Sequence, residues 1–396
     1  MKNKPLLNIK IKTLKNGVRI LVIGDIHLGH QNNKTSYIIE SLYKYFKDNT
    51  KLFKNLTHIV INGDLFHKAL LTFSTEYELS MTWMFKLIMF CSKNNIKLRL
   101  LEGTASHDNN QGKIIPNLIQ QWEVDVNFKY IKDIEIEYDA DYDIYNLFVP
   151  DRNDKSASDR FMVIRRMMLD LKIDKVDFCF LHGHFKYHLP VKDDVTAHDE
   201  ESYLSIVRYY IVTNHIHTKS IYDRILGPGS FDRICHGEEE DKRGIYLDVK
   251  SENDMRFIFI KNDNARIFKT IEIKRDKSEL AKIFKEIDKE VKNLPETSFI
   301  RILSTHNLGI SKEIKEKYNF SGVKEDVPNK EKANIKDLFN IRNSDVVELL
   351  ITKDNIFDLL KNELKNVEEN YVNIIFSKIR KLNEAIWQLV LSYSYE

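Results

Sequence analysis

The sequence predicts a two-sheet α/β sandwich with helices on its outer faces, followed by a small α+β unit and a helical C-terminus. Three observations carry this reading. Apolar strand-length runs alternate with helical patterns in the first part of the chain. Strand-like runs then cluster at 221–226, 245–250, 255–261 and 266–273. After about residue 275 the chain turns to Lys- and Glu-rich helical segments around one strand-like run, SFIRILS.

The elements follow in order. Asn16-Gly17 separates residues 9–14 from 18–23 and signals a hairpin. Residues 18–23 read as a buried strand ending at Gly24-Asp25. Ile38, Ile39, Leu42, Tyr45 and Phe46 share one face of a helix. HIVING is a strand ending at Gly63-Asp64, and Leu79, Trp83, Leu87 and Phe90 mark a helix over 76–94. KLRLLEG is the next strand and stops before Thr104-Ala105-Ser106-His107-Asp108. Strand-like runs return at 128–138 and 143–149, then a helix with Phe161, Ile164, Met168 and Leu171. VDFCFLHG ends on His182, and YYIVTN runs to His215. From about 342 the pattern is helical, with Ile356, Leu359, Leu360 and Leu364, then Ile374, Ile375, Ile379 and Leu382.

The chain has 396 residues, 42% hydrophobic and 30% charged, enough for one large domain and smaller units. Its formal net charge is only +2, so a surface for a polyanion has to be a local patch. Arg152, Lys155, Arg160, Arg165 and Arg166 form one basic run, for which a solvated helix face is the favoured explanation over a grip on phosphates. Cys91, Cys179 and Cys235 form no close pair, which argues against a disulfide framework and a cysteine zinc site. The N-terminus lacks the apolar run of a signal peptide. No stretch reaches the roughly 20 apolar residues of a membrane span. A soluble, cytoplasmic protein in a reducing compartment is expected.

Five polar clusters each follow an apolar strand: Gly24-Asp25-Ile26-His27, Gly63-Asp64, Ser106-His107-Asp108, His182-Gly183-His184 and Asn214-His215-Ile216-His217. Ligands in α/β sheets gather beyond the carboxyl ends of strands. Asp together with neutral His suits Mn, Fe or Zn, whereas all-oxygen sets favour Mg or Ca. A central carboxylate such as Asp64 can bridge two ions. Taken singly, each cluster has a plainer reading. Asp-x-His is a common surface pair, and Gly-Asp is a common turn or cap. His-x-His on a strand puts both rings on one face, which is ligand geometry but also occurs by chance. Five in this order, each at a strand end, leave chance a small share.

The ordered set resembles the calcineurin-like metallophosphoesterase signature. Asp25-Ile26-His27-Leu28-Gly29 and Gly63-Asp64-Leu65-Phe66 resemble its SbcD-type exonuclease branch. So do Gly229-Ser230-Phe231-Asp232-Arg233, His236-Gly237-Glu238-Glu239 and Lys242-Arg243-Gly244, a stretch similar to the one closing the catalytic domain there. The resemblance spans residues 18–250. It implies a metallophosphoesterase sandwich at 1–274, an accessory DNA-capping domain at 275–341 and a helical partner-binding region at 342–396. It further implies a metal-dependent DNA exonuclease or endonuclease with two divalent ions, Mn foremost. The implied partners are DNA, a coiled-coil ABC-type ATPase similar to SbcC and a second copy of the chain, with no membrane.

Carried over by residue, the resemblance places one ion on Asp25, His27, Asp64 and His217. It places the other on Asp64, Ser106, His215 and one of His182 and His184, with His182 favoured because it ends the apolar run. His107 would be the acid, oriented by Asp108. The family usually has Asn where this chain has Ser106, so a hydroxyl replaces an amide oxygen, with Asn109 or a water as alternatives. His30, His67, His188 and His198 read as solvated loop histidines. A phosphatase of the same superfamily and a non-catalytic DNA-binding scaffold are the rival functions.

Overall fold

A computed structural model describes residues 12–151, 156–189 and 195–327. The helical region expected at 342–396 lies outside these, as do Arg152 and Lys155. The strands are β1 (Thr13–Ile23), β2 (His58–Asn62), β3 (Lys97–Leu101), β4 (Phe128–Ile131), β5 (Glu135–Asp139), β6 (Ile144–Val149), β7 (Phe178–His182) and β8 (Ile211–Asn214). They continue as β9 (Ser220–Tyr222), β10 (Ile225–Gly227), β11 (Arg243–Ser251), β12 (Asp254–Lys261), β13 (Phe268–Ile273), β14 (Phe299–Ser304) and β15 (Gly322–Asp326). The fold is mixed α/β.

The first sheet has the order β12-β11-β1-β2-β3-β4 and the second β5-β6-β7-β8-β10-β9. β1 to β4 run parallel to one another. So do β6, β7, β8 and β10. Alternation along each strand explains why both faces are apolar. Val18, Ile20 and Val22 of β1, Val60 of β2 and Leu101 of β3 pack with Phe178 and Phe180 of β7, Val212 of β8 and Leu226 of β10. That cluster lies between the sheets. The intervening residues Leu21, Ile23, Ile59, Ile61, Leu98 and Leu100 face outward and pack beneath helices Thr35–Asp48 and Thr75–Asn94. Cys179, Leu181 and Ile211 do the same on the other side, under helices Ala157–Leu171 and Glu200–Ile206. The result is a four-layer sandwich, helices outside two stacked sheets.

Five expectations change. Asn16-Gly17 does not turn a hairpin. It forms a bulge inside the single strand β1, with Gly17 at φ +64°, and β1 pairs with the distant β11. Residues 128–138 split into β4 and β5, which join different sheets. Residues 221–226 likewise split into β9 and β10, turning at Asp223 with φ +50°. The boundary expected at 274/275 cuts a sheet, because β13 pairs with β14, and β14 with β15, all parallel. The small unit therefore starts near Phe268. Helices Leu280–Val291 and Ser311–Tyr318 lie in its crossovers, which makes it α/β rather than α+β.

One segment runs between the sandwich and this small sheet. Arg233 donates to the carbonyls of Ala265 and Arg266, and Glu239 accepts the Thr270 N–H at 2.8 Å. The His236 ring is buried between Phe268 and Phe299, at 5.2 and 5.1 Å. Among the described residues no helix is long and apolar enough to cross a membrane. The three cysteines are free.

Phe180 stacks on Phe148 at 5.4 Å in the core between the sheets. Phe180→Ala should cost about 3–5 kcal/mol of stability, read from denaturant unfolding. A loss below about 1 kcal/mol would mean the two sheets are not held together there.

Candidate metal centre

The polar clusters lie at the carboxyl ends of β1, β2, β3, β7 and β8. Those strands run parallel within each sheet, and the sheets stack face to face, so the clusters meet at one edge. The chain turns sharply to deliver them. Asp25, His27, Asp64 and His215 have φ of +48°, +55°, +50° and +105°, a region unfavourable to residues with a Cβ. Neighbouring loops hold these turns. Asp25 N–H donates to the Gly63 carbonyl at 3.1 Å, and His27 N–H to the Asp64 carbonyl at 3.0 Å. Gly63, at φ +84°, also leaves room for His182, since a Cβ there would stand 2.1 Å from His182 Nδ1.

Three groups of donors converge, of which the group of His27, His67 and His107 is all imidazole and the other two include a carboxylate. The donor atoms of Asp25, His27 and His217 lie within 4.8 Å of one another, as do those of Asp64, His182 and His215. His27 Nε2 and His217 Nε2 stand 3.1 Å apart. Two nitrogens about 2.1 Å from one ion, at right to tetrahedral angles, would be about 3.0–3.4 Å apart. Asp64 spans the two groups that include a carboxylate, with Oδ1 3.3 Å from His182 Nε2 and Oδ2 3.8 Å from His27 Nε2.

The rings are aimed by their far nitrogens. His182 Nδ1–H donates to the Asn62 carbonyl at 2.8 Å. Its Nε2 is buried, makes no well-formed hydrogen bond and faces Asp64 Oδ1 at 3.3 Å. His217 Nδ1–H donates to Glu238 Oε1 at 2.6 Å, and Lys242 holds the other carboxylate oxygen at 3.2 Å. A carboxylate behind a histidine is the usual support of a metal ligand. Asn214 donates to Asp25 Oδ2 at 3.0 Å, and His215 N–H donates to the same oxygen at 3.0 Å. Carboxylates and imidazoles, one with a buried nitrogen that makes no well-formed hydrogen bond, form a donor set that fits a divalent cation.

Charge follows geometry. Burial lowers the pKa of His182, but Asp64 and Asp25 outweigh it and raise it to about 10. Burial raises that of Asp64, but His182 and His27 outweigh it and hold the carboxyl well below its usual range. Burial pushes His27 far down, and burial with His182 nearby takes His215 to about 4.

The structure brings together Asp25, His27, Asp64, His182, His215 and His217, as the sequence predicts. His182, not His184, faces Asp64; His184 stacks on His215 at 5.6 Å. Ser106 does not join them. It sits exposed in a turn, and the group reaching inward from this loop is Thr104. Thr104 N–H donates to Asp64 Oδ1 at 2.6 Å, and its Oγ1 lies 3.4 Å from both Asp64 Oδ2 and His215 Nδ1. His107 flanks the centre, its ring 5.0 Å from His27. Asp108 does not orient it. Asp108 is buried and accepts the N–H groups of Phe66 and Gly103, tying two loops together. The orienting group is the His67 carbonyl, which takes His107 Nδ1–H at 2.7 Å.

His67 is therefore part of the site, not a solvated loop residue. Its ring stacks on His107 at 4.9 Å, and its Nδ1 is 3.4 Å from His27 Nδ1. Its spacing, three residues after Asp64 on one loop, was the available signal. His30 and His198 are buried, and His188 bonds Ser220 at 2.9 Å, so these are not solvated either. Arg160 leaves the basic run, being buried beside Asp151 at 3.7 Å. Glu238 and Asn214 lie inside motifs quoted above, but the sequence assigned neither of them a role.

No family model matches this sequence. No curated protein matches it either. Among the solved structures that align with this chain is a crystal structure that covers 62% of it and 99% of its own length, at 9% identity and a TM-score of 0.37. That likeness is too slight to bear on function.

Two outcomes test the centre. Glu238→Gln should weaken Mn²⁺ binding roughly 10–100-fold with the fold intact by circular dichroism. Unchanged affinity would show that Glu238 does not support a ligand. The Asp64 and Asp25 carboxylates favour the protonated form of His182, so an incoming ion would compete with that proton. Calorimetry in buffers of different ionisation enthalpy should show about one proton released at pH 8, with affinity rising as pH rises. Binding without proton release would take His182 out of the ligand set.

Proposed function

We propose that this protein is a two-metal phosphodiesterase acting on DNA, a nuclease of the SbcD-type branch of the calcineurin-like metallophosphoesterases. The observation that carries the reading is Asp64, set between two donor groups that each supply histidines. Asp25, His27, His217 and Asp64 would hold one divalent ion, and Asp64, His182 and His215 the other. Such ions supply Lewis-acid activation of a phosphodiester and of a water at neutral pH.

The chain's own residues do the rest. Asn214 and the His215 N–H fix Asp25, while Glu238 and the Asn62 carbonyl fix the tautomers of His217 and His182. His107, anchored through Nδ1 on the His67 carbonyl, turns its Nε2 away from that anchor. There it can hold a proton for a leaving oxygen or offset charge building on the phosphoryl group. The stretch 229–244, which phosphatases of the superfamily do not need, supplies Glu238 to this centre. That supports the nuclease branch over a phosphatase.

Mn is favoured over Mg because histidine-rich mixed donors suit it better. DNA would be held chiefly through its phosphates. Arg165 and Arg166 remain of the basic run among the described residues, and Arg166 pairs with Asp170 at 3.4 Å. A coiled-coil ABC-type ATPase and a second copy of the chain complete the proposed assembly.

The deciding experiment is degradation of end-labelled duplex DNA with Mn²⁺, set against hydrolysis of a simple phosphomonoester. DNA degradation should dominate. His107→Ala should keep bound metal and lose roughly 10²–10⁴ in rate, whereas Asp64→Ala should lose both. Preference for the monoester would sink the nuclease reading, and metal loss in His107→Ala would make His107 a ligand.

A further inference from the structure

The two donor groups that include a carboxylate are unequal. Asp25, His27 and His217 include a carboxylate of their own, and Glu238 stands 2.6 Å behind His217. Asp64, His182 and His215 include no second carboxylate, the nearest other being Asp25 Oδ1 at 3.9 Å from His182 Nε2, and His182 is backed by the neutral Asn62 carbonyl. Asp151 also acts on His182 and His215, but Arg160 lies 3.7 Å from it.

The β3 loop adds one more group on this side. Thr104 is fixed there by its N–H on Asp64 Oδ1, and its hydroxyl lies 3.4 Å from a donor on each of two sides, Asp64 and His215. The loop is tied down as well. His107 and Asp108 donate their N–H groups to the Thr104 carbonyl at 2.9 and 3.0 Å. Gly103 admits the close approach, since a Cβ on it would meet the Asp64 backbone nitrogen and Oδ1 at 2.2 Å.

Building on the metal centre read above, we propose that Thr104 Oγ1 is the fourth protein donor of the second site, and that this site holds its ion less tightly than the first. Affinity for hard divalent ions tracks the number of charged ligands and the rigidity of the site. A neutral hydroxyl adds no charge. The first site gains from Asp25 a charged ligand that the second lacks, whereas Glu238 behind His217 is itself paired with Lys242 at 3.2 Å. The first ion is then resident and the second exchangeable, so the free metal concentration sets how much of the protein carries both.

Mn²⁺ binding followed by the spin-resonance signal of the free ion tests this without reference to activity. The wild-type protein should show two classes of site, their dissociation constants differing by roughly tenfold or more. Thr104→Val, equal in size without the hydroxyl, should weaken only the weaker class. Thr104→Ser should match wild type, Thr104→Asn should tighten the weaker class, and Ser106→Ala should change nothing. Circular dichroism checks that each variant folds. Equal sites in the wild type, an unchanged weaker class in Thr104→Val, or a weakened one in Ser106→Ala would overturn the proposal while leaving the metal centre standing. No bound Mn²⁺ at all would remove the metal centre itself, and this proposal with it.

Discussion

Two fully buried carboxylates govern this edge of the molecule. Asp25 and Asp64 both face His182, whose Nε2 lies 3.9 Å from one and 3.3 Å from the other. Buried negative charges in such proximity need positive charge and hydrogen bonds to be tolerable. The surroundings answer that need with backbone N–H groups, the Asn214 amide and inward-facing imidazoles. The sandwich answers it too, by ending its like-directed strands at one place. The left-handed turns at Asp25, His27, Asp64 and His215 are the local cost, of about 1–3 kcal/mol each.

Much of this was legible in the residues because period-two apolar runs mark strands, and polar residues breaking them mark strand ends. That logic located β1, β2, β3, β7 and β8 and six of the donors. It failed where a local signal has two tertiary outcomes. Asn16-Gly17 suits a hairpin and a glycine bulge alike, and only the distant partner β11 decides between them. The run at 128–138 is continuous in pattern, yet its two halves belong to different sheets. The edge of the small sheet was missed because β13 reads like one more strand of the same cluster.

The third cluster shows the limit most plainly. Sequence spacing pointed to Ser106, next to His107, whereas the turn after β3 carries that residue outward and leaves Thr104 facing Asp64. Asp108 looked like the partner of His107 because it follows it. Its carboxylate instead joins the loops after β2 and β3, and a carbonyl from the β2 loop takes its place. Supporting residues such as Glu238 and Asn214 reveal their role only once rings and carboxylates have directions. Chain neighbours are not spatial partners in loops that reverse within a few residues.

Residues 233–242 touch the sandwich and the small sheet at once. Glu238 grips His217, while two residues away His236 is wedged between Phe268 and Phe299, and Glu239 is bonded to β13. There is little slack in so short a tether. A force tilting the small sheet must either be absorbed within those few residues or tug on the imidazole of His217. The small sheet and the imidazole of His217 are thus joined through fewer than a dozen residues.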